Sequence, residues 1–169
     1  MARSNYEQVA EILRIESEAI AQASANLSAQ TVDRAIDILR SAAGKVIVTG
    51  VGKSGVIAQK IAQTLTSTGT VAVFIHPSDA LHGSLGVIAD GDVVIALSNS
   101  GETDELLAIL PALKLRNIPI ISIVGNVAST LSVRSDAALN ASVDKEACPL
   151  NLAPTASTTV ALAIGDALA

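Results

Sequence analysis

The chain has 169 residues and sets 11 Lys+Arg against 16 Asp+Glu, a formal net charge of −5 that excludes the basic stripe of a general nucleic-acid or anionic-membrane binder. One domain is expected at this length, large enough to bury a core without a metal or disulfide staple. The single cysteine, Cys148, rules out a disulfide framework and points to a reducing compartment.

Mean hydropathy is +0.51, yet no uninterrupted run of about 18 apolar residues is present to span a bilayer. The segment 1–18 mixes acids with apolar residues and resembles neither a signal nor a transit peptide, so a cytoplasmic location is expected. Tyr6 and Phe74 are the aromatic residues, which provides no stacking platform. Any ligand must be held by polar groups.

Along 4–26, Val9, Ile12, Leu13, Ala19, Ile20 and Ala23 recur at helical spacing, and Ser4 with Glu7 forms a capping box. A second helix is predicted over 29–42, with Gly44 as its stop. From Lys45 the pattern turns to short β-branched runs: KVIVT (45–49), VAVFI (71–75), VVIAL (93–97), IPIISIV (118–124) and a weaker AALNASV (137–143). Helical stretches at 54–68, 102–116, 128–135 and 155–169 alternate with them. Continuous apolar strands are buried on both faces, which predicts an α/β fold, a three-layer α/β/α sandwich around a five-stranded parallel sheet. Residues 1–44 form a helical arm and 45–169 the sandwich, with no domain boundary between them. The last segment, TASTTVALAIGDALA, is still apolar and uncapped at Ala169, so the natural chain is expected to continue.

In an open parallel sheet, ligands sit beyond the carboxyl ends of the strands, where the winding reverses. The first strand is followed by Gly50-Val51-Gly52-Lys53-Ser54-Gly55, a formal G-x-G-x-x-G. A dinucleotide site also needs an acid about 20 residues on, and none occurs between Ile38 and Ser78. A Walker loop would need glycine where Ile47 stands. What remains is an anion site made of backbone N–H groups at a helix start, Lys53 and Ser54, or else a packing turn with a solvent-facing lysine.

The third strand leads into Ser98-Asn99-Ser100-Gly101-Glu102-Thr103-Asp104-Glu105. Short donors and a helix's free first-turn N–H groups form a cup for a doubly charged phosphate. The alternative is ordinary N-capping by Ser100. Glu102 and Glu105, three apart on one predicted helix face, offer a carboxylate that reaches past the phosphate toward the carbon chain. Glu146, in the loop after the fifth strand, is either half of a solvated pair with Lys145 or a partly buried acid with a shifted pKa. His76 and His82 stand at i, i+6, which is not metal-ligand spacing; they are proton carriers or, in the plainer alternative, a cap or an interface group. Cys148, with no base beside it in sequence, is expected to be a small buried residue.

These loops make the chain resemble the SIS (sugar isomerase) domain, and more narrowly that of the arabinose 5-phosphate isomerase family. The resemblance runs from the first helix onward and rests on VTGVGKSG (48–55), STGT (67–70), HPSDALHGSLG (76–86), ALSNSGETDE (96–105) and KEACPLNLAPTASTT (145–159), the last being the most discriminating. It implies a flavodoxin-like sheet and interconversion of D-ribulose 5-phosphate with D-arabinose 5-phosphate for Kdo and lipopolysaccharide synthesis. It implies a substrate-binding set of Gly52, Ser54, Ser98, Asn99, Ser100, Gly101, Glu102 and Thr103, and a catalytic set of Lys53, Glu105, Glu146 and His82. No cofactor, metal, nucleic acid or membrane is expected. A homodimer or homotetramer is, paired through the apolar faces at Ile12, Ile15 and Ile20. Family members usually continue into a segment with a catalytic His-Pro-Gly and paired CBS domains, absent from these residues. The alternatives are a non-catalytic phosphosugar sensor and an isomerase of another phosphosugar.

Overall fold

The computed structural model describes residues 3–169; Met1 and Ala2, the start of the segment read above as lacking a targeting signal, lie outside the described residues. Elements follow in the order α1 (Asn5–Asn26), α2 (Ala29–Arg40), β1 (Val46–Gly50), α3 (Gly52–Ser67), β2 (Ala72–Phe74), α4 (Pro77–Leu81), a 3-10 turn (Ser84–Val87), β3 (Val93–Ser98), α5 (Asp104–Leu115), β4 (Ile120–Val124), α6 (Thr130–Val133), β5 (Ala137–Asn140) and α7 (Ala156–Ala167). The five strands form one parallel sheet in the order β2-β1-β3-β4-β5. The winding therefore reverses between β1 and β3, and the loops leaving those two strands flank the crevice where such sheets take their ligands.

Successive residues of a strand point to opposite faces, so each central strand feeds two cores. Val46 and Val48 of β1, Ile95 and Leu97 of β3 and Ile121 and Ile123 of β4 pack with α2, α3, α7 and Ala23 of α1. Ile47, Val94, Ala96, Ile120 and Val124 pack on the other face with α4, α5 and Leu131 of α6. This is the three-layer arrangement that the continuous apolar runs demand. α1 and α2 belong to the first of these cores rather than projecting from it. No helix among the described residues is long and apolar enough to cross a membrane.

The capping box closes as expected: Glu7 N–H donates to Ser4 Oγ at 3.2 Å, and the Ser4 N–H to Glu7 Oε2 at 2.7 Å. Several details depart from the sequence reading. β2 is a three-residue edge strand, with Val71 66% exposed and Val73 36%, because an edge position leaves one side without a neighbour. Gly44 does not end α2; Ser41 does, and Gly44 is small because a Cβ there would collide with the Asp92 carboxylate. The loop 76–83 contains the short helix α4, which its length had hidden. On α1, Ile12 and Ile15 are half-buried, whereas Tyr6, Val9, Leu13 and Ile20 form the exposed apolar stripe. Of the three residues expected to pair, Ile20 is exposed.

Candidate phosphosugar site

The glycine turn after β1 is set by packing as well as by any ligand. A Cβ on Gly55 would lie 2.7 Å from the Gly50 carbonyl oxygen, so the strand and α3 touch through glycine alone. Sterics account for the glycines; they leave Lys53 and the N–H groups unexplained. Lys53 is exposed on the first turn of α3 and makes no ion pair among the described residues. Val51, the residue before α3, gives no side-chain cap, so the N–H groups of that turn stay open.

The loop after β3 has the same property. Its N-cap residue is Thr103, and no side chain caps α5. The Thr103 hydroxyl instead pairs with Ser98 Oγ at 2.8 Å, and Ser98 Oγ accepts the Gly101 N–H at 2.9 Å. Ser98 is buried and shapes the loop from inside. Ser100 Oγ accepts the Glu102 N–H at 3.2 Å, one turn short of the helix, so the plain N-capping alternative for Ser100 does not hold. Asn99 and Ser100 are exposed on the rim. Two uncapped helix starts, one exposed lysine and two rim donors therefore flank the winding reversal, with the carboxylates of Asp104 and Glu105 on the first turn of α5 beside them.

Ser54, Ile57, Asn99, Gly125, Ser157 and Thr158 line a cleft between these loops and α7, with a free volume of about 40 Å³.

The two acids expected to share a helix face do not. α5 begins at Asp104, so Glu102 sits in the loop, and its Oε1 accepts the Thr130 N–H at 2.7 Å. Glu105, half-buried on the first turn of α5, has no hydrogen bond or ion pair among the described residues. Glu146 is engaged at both oxygens. Its Oε2 accepts the Thr155 N–H at 2.8 Å, Thr155 Oγ1 at 3.1 Å and the Ser157 N–H at 3.2 Å, while the Ser157 hydroxyl bonds Oε1. Burial pushes this carboxyl up, but the bonds from Ser157 and Thr155 outweigh it, and the pKa lies below the usual glutamate value. Of the two sequence alternatives, the partly buried one holds: Glu146 caps α7 and forms no pair with Lys145.

His76 is a cap, its Nδ1 accepting the Ser78 N–H at 3.2 Å at the start of α4. His82 stands exposed at the far end of that helix, with no side-chain bond among the described residues. Cys148 is half-buried rather than fully buried, and backbone N–H groups, that of Leu152 foremost, draw its thiol below the ordinary value. Sequence reading missed the loop 125–131. Its Gly125 N–H donates to the Asn99 carbonyl at 2.9 Å and its Leu131 N–H to that of Gly101 at 3.1 Å. A loop of small residues carries no chemical signature, and only the fold brings it to the serine loop.

Residues 38–169 match the SIS domain family. The arabinose 5-phosphate isomerase KdsD of Pseudomonas aeruginosa is 53% identical over 136 residues, covering 80% of this chain and 42% of that protein. The enzyme of the same name from Escherichia coli (strain K12) is 47% identical over 159 residues, covering 94% and 48%. The chain thus spans less than half the length of these curated relatives. Among solved structures, E. coli CFT073 c3406 in complex with arabinose 5-phosphate superposes with a TM-score of 0.91 at 40% identity, covering 98% of this chain and 89% of that one. A sugar-phosphate isomerase structure from Listeria monocytogenes reaches a TM-score of 0.93 at 32% identity, covering 99% and 89%. By the family match and by these relatives, the chain belongs to the SIS domain family.

Proposed function

We propose that this chain is the isomerase domain of an arabinose 5-phosphate isomerase, interconverting D-ribulose 5-phosphate and D-arabinose 5-phosphate. The observation that carries the reading is the meeting of two uncapped helix starts and the serine loop at the winding reversal, in a chain whose curated relatives bear that name. The arabinose 5-phosphate bound by c3406, similar over 98% of this chain, supports the substrate class.

In this reading the phosphate is held by Asn99 and Ser100, the N–H groups around Gly52 and Gly101, and Ser54, with Ser98 and Thr103 bracing the cup from within. Aldose–ketose isomerisation removes a proton from carbon 2, passes through a cis-enediol and returns the proton at carbon 1. One carboxylate on the correct face performs both transfers. Glu105 is the proposed base, because it is the acid of the set whose oxygens no protein donor occupies. Lys53 stabilises the charge that develops on the substrate oxygen. Glu146, held ionised at the start of α7, is suited to accept a hydrogen bond from a sugar hydroxyl rather than to carry protons. His82 moves the proton between the two oxygens. The reaction asks for no redox cofactor. The same reading places the protein in the cytoplasm, supplying arabinose 5-phosphate for Kdo and lipopolysaccharide synthesis. It pairs as a homodimer or homotetramer through the α1 stripe of Tyr6, Val9, Leu13 and Ile20.

The test is incubation with ribulose 5-phosphate in deuterated water. Deuterium at the carbon beside the carbonyl, with arabinose 5-phosphate appearing, is the expected result. Tight binding without exchange would make the domain a phosphosugar sensor.

A further inference from the structure

Glu102 poses a problem for an anion site. It lies between Gly101 and Thr103 in the loop proposed to hold phosphate, where a free carboxylate would repel the ligand. The structure gives that carboxylate a partner: the N–H of Thr130, first residue of α6 and 28 positions along the chain, at 2.7 Å. The length is that of a charge-assisted hydrogen bond.

The contact is the third of a set joining the same two loops. The Gly125 N–H reaches the Asn99 carbonyl at 2.9 Å, and the Leu131 N–H reaches that of Gly101 at 3.1 Å. At Gly101, whose φ is +69°, a Cβ would collide with the Ser129 hydroxyl, so the loops meet with no side chain between them. Residues 99, 101 and 102 are therefore tied to the loop 125–131, and Ser100 stands between the ties with its side chain exposed. The two backbone ties act on the loop's start and middle. Of the three, the Glu102 bond is the one that fastens the exit to the neighbouring loop, immediately before the Thr103 that opens α5 and that Ser98 holds from within.

We infer that Glu102 is a positioning residue of the phosphate cup: its carboxylate, bonded to the Thr130 N–H, latches the serine loop to the loop after β4 and fixes Asn99 and Ser100 for the ligand. It transfers no proton. A rim donor on an unlatched loop must be ordered when the ligand binds, and that entropy is subtracted from affinity. The latch lowers this cost beforehand and holds the carboxylate toward Thr130. This inference rests on the phosphosugar reading above.

The test compares wild type, Glu102→Ala and Glu102→Gln by the Kd for inorganic phosphate, measured calorimetrically, and by kcat and KM for ribulose 5-phosphate. Glu102→Ala is expected to raise both Kd and KM about tenfold, with kcat changed far less. Glu102→Gln keeps an oxygen that accepts the Thr130 N–H and is expected to recover most of the loss. Should the alanine variant fail to fold, Glu102→Asp, one methylene too short to reach, takes its place with the same expectation. Loss of kcat in both the alanine and glutamine variants would make Glu102 a base and overturn the latch. A lower melting temperature with Kd and KM intact would also overturn it, leaving only a structural contact. A wild type that binds no phosphate and isomerises nothing would remove the functional reading itself. That outcome is distinct from a wild type whose binding Glu102→Ala leaves untouched, which removes the latch alone.

Discussion

The two edges of the sheet use their polar groups in opposite ways. At the amino edge, carboxylates are spent on strand starts. Asp92, 2% exposed, receives the Lys45 N–H at 2.8 Å, the Ala89 N–H at 2.7 Å and Lys45 Nζ at 2.6 Å. Asp136 receives the Ile120 N–H at 2.8 Å and Lys114 Nζ at 3.1 Å. At the carboxyl edge, Lys53 and Glu105 have no partner among the described residues, and α3 and α5 start uncapped. Buried donors and acceptors are ordinarily satisfied because an unmade bond is costly. The open groups at the carboxyl edge are exposed or half-buried and left to solvent, which in the proposed reading frees them for a ligand, whereas the satisfied carboxylates at the other edge anchor the strand starts.

The sharpest way to test this division is a pair of substitutions, one at each edge. Glu105→Gln is expected to lower kcat by about 10²- to 10⁴-fold and to leave the unfolding midpoint unchanged, since no intramolecular bond is lost. Deuterium exchange into ribulose 5-phosphate reads the first and denaturant unfolding the second. Asp92→Ala should do the reverse. It strands two backbone N–H groups and the Lys45 ammonium, costing about 3 kcal/mol of stability, while kcat per folded molecule holds. A stability loss in Glu105→Gln equal to that in Asp92→Ala would erase the distinction between the edges.

The layers of the fold could be read from the chain because they follow from continuous apolar runs such as VVIAL and IPIISIV, which nothing but a doubly covered sheet buries. The loops could be read too, since Ser98 to Thr103 and the lysine turn carry their donors in consecutive positions. What could not be read was how those donors are spent. The pairing of Ser98 with Thr103 and the engagement of Glu102 by Thr130 depend on where α5 begins and on where a loop 28 residues away falls. The same applies to Glu146, whose four donors come from Thr155 and Ser157 at the start of α7. Local spacing reports residue type and period, and only the tertiary fold decides which acid is free.

Glu146 is the group that blurs the comparison, being a carboxylate at the ligand edge that is engaged like those at the other. Its pKa and that of Asp92 are both lowered in the folded state, with burial opposing and hydrogen bonds prevailing. A carboxyl that binds its proton less readily when folded contributes stability above its unfolded pKa, about 4 for these residues. That contribution is lost as pH falls through the lower folded value. Unfolding free energy should therefore decline on acidification below about pH 4. Glu146→Gln should flatten part of that decline and cost about 1 kcal/mol at neutral pH, since the amide oxygen still serves Thr155 and the Ser157 hydroxyl can turn to accept. Its kcat should fall less than that of Glu105→Gln. A larger fall would move the proton transfer to Glu146 and reassign the free Glu105.

The smallest expected effect probes the rim itself. Ser100 Oγ makes one protein bond, to the Glu102 N–H at 3.2 Å, near the long end of the hydrogen-bond range. Its loss should move the unfolding midpoint very little. In the proposed cup the same hydroxyl donates to a phosphate oxygen, and an interaction with a charged group is worth about 1.5 kcal/mol or more. Ser100→Ala should then raise KM for ribulose 5-phosphate roughly tenfold at unchanged kcat, because binding the phosphate stabilises substrate and transition state alike. A fall in kcat with KM unchanged would place Ser100 against the reacting carbons and turn the substrate end for end in the crevice.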